Sequence, residues 1–202
     1  MKNNHTWVIC AYGESEFLEA CILSLQAQTL QSKIICYSST PLGSIKQLCQ
    51  KYGIPFYTKE GGGIGKDWNN ALTFVETSYA TIAHQDDYYE PTYLEAVMQK
   101  IEQSKDILIA YTDYFEEKNG VKIPANTNLK IKTLMLKTLN LMPSSRFWRN
   151  RVLAFGNPIS CPAVTYNLEA LRDFQFDEEM RVSLDWYAWY KISAYKGRFA
   201  YI

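Results

Sequence analysis

In the segment ATIAHQDDYYEP, Ala80–Pro91, an apolar run ends in two adjacent carboxylates, Asp86 and Asp87. Neighbouring negative charges raise each other's cost of ionising, so either water screens them or a cation does. One reading is a solvated turn capping the next helix, because acids are favoured near helix N-termini. The other is a divalent cation held by one or two carboxylates and completed by phosphates, the usual way magnesium is bound. His84 reads as a metal ligand or as a satisfied core histidine. Asp185, in SLDWYAWYKI, is either an acid favouring the helix dipole or a general base whose proton affinity the surrounding aromatics raise. The run EGGGIGKDWNN invites a phosphate-loop reading and fails it. Glu60 stands where the first glycine belongs, and Asp67 rather than Ser or Thr follows Lys66. Lys66 and Trp68 occupy the third glycine position of a dinucleotide fingerprint. A loop leading into a helix N-terminus remains, either plain or able to receive an anion. Tyr88, Tyr89, Trp186 and Trp189 read as packing residues, with sugar stacking as their one further role.

These residues need elements to hold them. Short apolar runs, TWVICAY, SKIICYS, IPFYTK and YATIAH, read as buried strands. Between them SEFLEACILSLQAQ, GSIKQLCQKYG and KDWNNALTFVETS have helical spacing, and PTYLEAVMQKIEQ opens a fourth helix on Pro91. Ser15 can cap the first helix, and Gly53 suits the end of the second. Strict strand–helix alternation predicts βαβ units: an α/β fold with a mostly parallel central sheet flanked by helices. Ligands in such sheets bind beyond the carboxyl ends of the strands, where Tyr12, Ser38, Ser39, Lys59, Asp86 and Asp87 stand. After about residue 104 the rhythm changes. DILIAYTDYFEEKNGVKI predicts a strand pair turned at Asn119-Gly120. NLKIKTLMLKTLNLM predicts an amphipathic helix, CPAVTYN a strand, LEALRDF a short helix, SLDWYAWYKISAYKG a helix ended by Gly197, and RFAYI a strand. PSSRFWRNRVLAFGNP has no assignable pattern.

The 202 residues suit one domain, and a hydrophobic fraction of 47% with 14% aromatics supplies a sizeable core. Twenty-one basic and 21 acidic residues cancel. Neither a net basic excess nor a basic stripe is legible, which argues against nucleic acid as partner. The five cysteines, Cys10, Cys21, Cys36, Cys49 and Cys161, lack metal-site spacing and read as buried free thiols of a reducing compartment. No signal-peptide layout and no membrane-spanning run is present, so the expected location is cytoplasmic.

Together the motifs resemble family 2 glycosyltransferases. VICAYGESEFLEACILSLQAQTL is similar to the family's opening, with Tyr12, Ser24, Gln28 and Thr29 matching, and GKDWNNAL matches an internal segment at Asn69 and Ala71. AHQDDYYEP resembles the Asp-x-Asp metal motif, and FDEEMRVSLDWYAWYKISAYKGRFAYI resembles the late segment carrying the catalytic base. The resemblance covers nearly the whole chain. It implies a nucleotide-diphospho-sugar transferase (GT-A) fold in which 1–104 form the nucleotide-sugar-binding half. Residues 105–202 would form an acceptor-side half that stops short of the family's usual end. It implies an inverting, metal-dependent transfer of sugar from a nucleotide-diphosphate donor to a hydroxyl of a glycan or lipid-linked glycan, in cell-surface polysaccharide or lipopolysaccharide synthesis. The place of work would be the cytoplasm, at the inner face of the membrane by peripheral association. Asp185 would be the catalytic base. Tyr12, Glu14, Ser38, Ser39, Lys66, Asn69, Asp86 and Asp87 would bind the donor, and Asp86 would hold Mn²⁺ or Mg²⁺. Three departures stand out. Ser38 and Ser39 replace nucleoside-reading acids, Gly13 replaces an asparagine, and His84 or Gln85 replaces the first acid of Asp-x-Asp. These leave open a catalytically inactive nucleotide-binding relative acting as a partner or scaffold.

Overall fold

A computed structural model describes residues 4–118 and 120–202. The first half alternates as expected: β1 (His5–Cys10), α1 (Leu18–Gln26), β2 (Lys33–Tyr37), α2 (Gly43–Lys51), β3 (Phe56–Tyr57), α3 (Ile64–Leu72), β4 (Tyr79–His84) and α4 (Tyr93–Glu102). The second half contains β5 (Ile107–Tyr111), the short strands β6 (Glu117–Lys118) and β7 (Val121–Lys122), α5 (Thr127–Leu139), α6 (Arg146–Leu153), β8 (Val164–Asn167), α7 (Leu184–Ile192) and β9 (Arg198–Tyr201).

Seven strands form one sheet in the order β3-β2-β1-β4-β8-β5-β9. All neighbours are parallel except β8, which runs antiparallel to both β4 and β5. Side chains alternate between faces, as the two-residue strand period requires. On β1, Trp7 and Ile9 pack with α1, α2 and α4, while Val8 packs on the other face with Ala71 of α3. Trp68, Leu136, Leu139, Val152, Leu153, Leu184 and Trp189 bring α3, α5, α6 and α7 together on that second side. A buried polar ladder crosses the strands. His5 Nε2 meets Thr81 Oγ1 at 2.9 Å, and Thr81 meets Thr165 at 2.6 Å.

Several elements differ from the sequence expectation. LEALRDF forms turns rather than a helix, with Asn167 Oδ1 accepting from Ala170 N at 3.1 Å. The segment without a legible pattern contains α6, capped by Ser145 Oγ, which accepts from Trp148 N at 3.3 Å. Its Arg149 is buried and donates to the carbonyls of Pro143, Gly197 and Ser193, a tertiary role that helical periodicity does not reveal. The expected β5 hairpin is split. β5 joins the main sheet, and only β6 and β7 pair across the turn, whose Asn119 lies outside the described residues. Ser15 accepts from Phe17 N before α1 begins and does not cap it. The last long helix stops at Ile192, and Gly197 (φ 150°) instead lets the chain pass Asp106, whose carbonyl would lie 2.5 Å from an added Cβ. The five cysteines are free, four of them buried. No helix is long and apolar enough to cross a membrane among the described residues.

Candidate active site

The carboxyl ends of β1, β2 and β4 open into a cavity of about 600 Å³ lined by Tyr12, Ser39, Gly61–Gly63, Asp67, Trp68, His84, Gln85 and Asp86. A second cavity of about 760 Å³ is lined by His84, Asp86, Asp87, Tyr88, Glu90, Asp113, Phe115 and Glu117, among others. His84 and Asp86 belong to both walls, so the loop after β4 is the partition between them.

That loop is tied on two sides. Gln85 grips the end of β1: its Oε1 accepts from Tyr12 N at 3.1 Å and its Nε2 donates to Tyr12 O at 2.8 Å. On the other side buried Gln28 donates to Glu90 O at 2.9 Å and accepts from Leu94 N at 3.0 Å. Ser24 Oγ accepts from Tyr89 N and Pro91 O accepts from Thr29 N, so the motif residues of α1 and of the chain just after it hold the segment that follows the carboxylates.

His84, Asp86 and Asp87 each offer one ligand atom, and these atoms all lie within 4.8 Å of one another. His84 Nδ1 is 3.7 Å from Asp87 Oδ2, while its Nε2 is buried without a partner among the described residues. The imidazole stacks on Trp68 with ring centroids 5.4 Å apart. Burial pushes the His84 imidazole down, against the upward pull of Asp86 and Asp185, and so favours the neutral, ligating form. Burial, reinforced by the Asp86 charge, raises the Asp87 carboxyl to about 6. A mixed imidazole–carboxylate set with its negative charge crowded together fits a divalent cation. Mn²⁺ accepts both ligand types, and Mg²⁺ would lean on the carboxylates and on phosphates.

Asp185 sits in the first turn of α7. Its Oδ2 accepts from Asn157 Nδ2 at 2.7 Å and its Oδ1 from Trp186 N at 2.8 Å. Polar donors therefore hold the carboxylate, and the Trp186 indole is committed to Leu153 O at 2.9 Å. The preceding Ser183 adopts a left-handed conformation (φ 55°), uncommon for a residue with a Cβ, which turns the chain abruptly into α7. Asp185 lines neither cavity, and its tie to the partition is electrostatic: its charge pulls the His84 imidazole upward against burial.

The other residues singled out from sequence fall into two groups. Tyr12, Ser39, Asp86 and the glycines line the first cavity, and Asp87 lines the second. Ser38 is fully buried below the wall, where its Oγ accepts from Thr40 N at 3.1 Å. Asn69 exchanges hydrogen bonds with the backbone of Phe176 at 2.9 and 3.0 Å and pins α3 to the chain before α7. Lys66, on α3, lies against Gly62, and Glu14 is exposed; neither is in the cavity wall. Sequence reasoning missed Gln85, Asn157 and Asp67. Asp67 reaches Ser39 Oγ with Oδ2 at 2.8 Å, placing an acid beside the serines at the end of β2. No local signal marks these three, because each acts on a partner at least 28 positions away.

Residues 6–163 match the model of glycosyl transferase family 2. The chain is 24% identical over 123 residues to glycosyltransferase GlyA of Streptococcus pneumoniae serotype 4, a match covering 57% of this chain and 18% of that protein. Its fold is similar to S. aureus TarS 1-349 in complex with UDP-GlcNAc (TM-score 0.72, 16% identity), covering 98% of this chain and 55% of that one. It is similar as well to the mannosyltransferase PcManGT from Pyrobaculum calidifontis in complex with GDP-Man and Mn²⁺ (TM-score 0.71, 11% identity), covering 98% and 54%. The chain thus spans about half the length of these solved relatives. The mostly parallel seven-stranded sheet is of the GT-A type that these structures share. With most of its length, from β1 to the turn before β8, matched to one family, the chain belongs to glycosyl transferase family 2.

Proposed function

We propose that this chain moves a sugar from a nucleoside-diphosphate donor to a hydroxyl of a glycan acceptor, with inversion at the anomeric carbon. The observation that carries the reading is the shared partition: His84 and Asp86 line both cavities. The donor nucleotide fits the cavity at the ends of β1 and β2, with its diphosphate toward Asp86. The acceptor fits the second cavity, beside Tyr88 and Phe115, which pack edge to face with ring centroids 5.8 Å apart. The solved relatives that hold UDP-GlcNAc, and GDP-Man with Mn²⁺, support a donor of this class.

His84, Asp86 and Asp87 would hold a divalent cation, Mn²⁺ or Mg²⁺, which supplies Lewis acidity toward the departing diphosphate. Asp185, oriented by Asn157, accepts the proton of the acceptor hydroxyl as its oxygen bonds to the anomeric carbon and the bond to the diphosphate breaks. Attack from the face opposite the leaving group inverts the centre. The departures at His84 and Gln85 favour one second reading, a relative that binds nucleotide without turnover.

The test pairs binding with turnover. A matching nucleotide-sugar with Mn²⁺ should raise the melting temperature, and Asp86→Ala should remove the metal-dependent part of that rise. Asp185→Asn should keep the rise and lower transfer or donor hydrolysis by at least ~100-fold. Turnover unchanged in Asp185→Asn would sink the base assignment. Binding with no turnover in the unmodified chain would leave the binding-only reading.

A further inference from the structure

The balanced whole-chain charge hides a segregation. Between Lys118 and Leu168 lie eight Lys and Arg residues and no Asp or Glu, so a neutral chain is +8 here and −8 elsewhere. This stretch contains α5 and α6, which pack together and bury their inner stripes, Leu136, Leu139, Val152 and Leu153, in one core cluster. Their outer stripes are not polar. On α5, Lys130, Ile131, Leu134 and Lys137 face outward, and Leu134 is 65% exposed. The connection continues with Leu141 and Met142, 73% and 54% exposed. On α6 Phe147 is 72% exposed, and Phe155, just past its C-terminal end, is 84% exposed, with Arg146 and Arg151 on the helix beside them. Lys130, Lys137, Arg146 and Arg151 form no ion pair with an acid among the described residues.

A contiguous run of large exposed apolar side chains marks an interaction surface. Two features together choose its occupant. Unpaired cations without a single acid complement a negatively charged surface. Aliphatic and phenyl groups interleaved among them gain nothing from a polyanion in water, but do gain from entering the boundary between headgroups and acyl chains. We infer that the outer face of α5 and α6 docks on an anionic lipid bilayer, with Leu134, Leu141, Phe147 and Phe155 inserted and Lys130, Lys137, Arg146 and Arg151 at the phosphates. The α6 end of this face runs directly into Asn157, which holds Asp185. Docking would therefore bring the catalytic base close to the membrane surface, where a lipid-linked acceptor would present its hydroxyl. That consequence rests on the glycosyltransfer reading, while the docking itself does not.

Flotation of the full chain tests it with vesicles of phosphatidylcholine alone and of phosphatidylcholine mixed with phosphatidylglycerol. Binding is expected to the mixed vesicles only and to weaken as salt rises. Replacing the four outward cations by Gln should weaken it by at least ~50-fold, and the exposed-site change Leu134→Glu with Phe147→Glu should abolish it, with the circular dichroism spectrum unchanged. Equal binding to neutral vesicles, absence of vesicle binding, or binding of duplex DNA in preference to the mixed vesicles would overturn the inference. So would a dimer, detected by light scattering, that the same Glu changes dissociate. Donor-induced thermal shift on the same sample separates the two claims. A shift without flotation overturns only the docking surface, and flotation without any donor shift counts only against the proposed function.

Discussion

Asp87 holds its proton to higher pH than an ordinary carboxyl, at about 6, because it is partly desolvated and faces Asp86. In the metal-free chain its ionisation works against the fold, so this contribution falls as pH rises from about 4 to about 6. A cation reverses the sign by favouring the ionised form. Metal-dependent donor binding should therefore weaken as pH falls through about 6, and Asp87→Asn should flatten that dependence. Thermal shifts with donor and Mn²⁺ between pH 5 and pH 8 check this, and a pH-independent shift would contradict it. Asn157 acts on Asp185 through one 2.7 Å hydrogen bond, and its own Oδ1 is buried without a partner among the described residues. Losing a hydrogen bond to a charged group costs about 1.5–3 kcal/mol. Asn157→Ala should lower turnover roughly 10-fold or more by that scale, while the donor's binding constant from calorimetry stays unchanged. An equal loss in both would mean that Asn157 supports the donor site instead.

At the scale of elements, α3 carries the wall of the first cavity and is held by close backbone approach. A Cβ on Gly65 would lie 2.2 Å from the carbonyl oxygen of Asp177, so the glycine is required by packing and not by the turn. Gly65→Ala should destabilise the chain by about 1–3 kcal/mol, the usual cost of overpacking, despite the better helix propensity of alanine. Gly43, in the first turn of α2, has open space around its Cα, and Gly43→Ala should stabilise by about 0.4–1 kcal/mol. Urea midpoints measure both, and the opposite signs are the point of the comparison. The β6–β7 hairpin leans over the second cavity: Tyr88 hydrogen-bonds to Glu117, and Lys122 pairs with Glu90 at 2.5 Å. Both contacts join the loop after β4 to a two-stranded unit outside the main sheet, which places that wall of the second cavity on a less extensively paired element.

At the scale of the molecule, the polar ladder His5–Thr81–Thr165 binds β1, β4 and β8 through the middle of the sheet. Burial pushes the His5 imidazole down to about 3. Its folded value lies below its unfolded one, so its contribution is fully present above about pH 6.5 and is lost as pH falls toward 3. The shift corresponds to roughly 5 kcal/mol across that window. His5→Gln should therefore lower stability at neutral pH yet reduce the loss on acidification. Denaturant unfolding at pH 7 and pH 4.5 decides it, and parallel losses in both proteins would rule out His5 as the acid-sensitive group.

Much of this architecture was legible in sequence because it depends on short-range periodicity. Alternating apolar runs and amphipathic helices announce a βαβ sheet, and a sheet of that kind exposes the ends of its strands, so Asp86 and Asp87 had to stand at a rim. What the tertiary structure decided involves residues distant in the chain. The antiparallel direction of β8 follows from its neighbours, and α6 emerges where Arg149 finds the carbonyls of Ser193 and Gly197, more than 40 positions away. Ser38 sinks below the wall while Asp67 arrives from α3, because strand twist and helix placement, not order in the chain, determine what faces a cavity. Charge divides between the two. The composition sums to zero and the order of residues already sets an acid-free run from Lys118 to Leu168, while folding leaves its unpaired cations and exposed apolar groups on the outer side of α5 and α6, since the inner face of each helix is committed to the core.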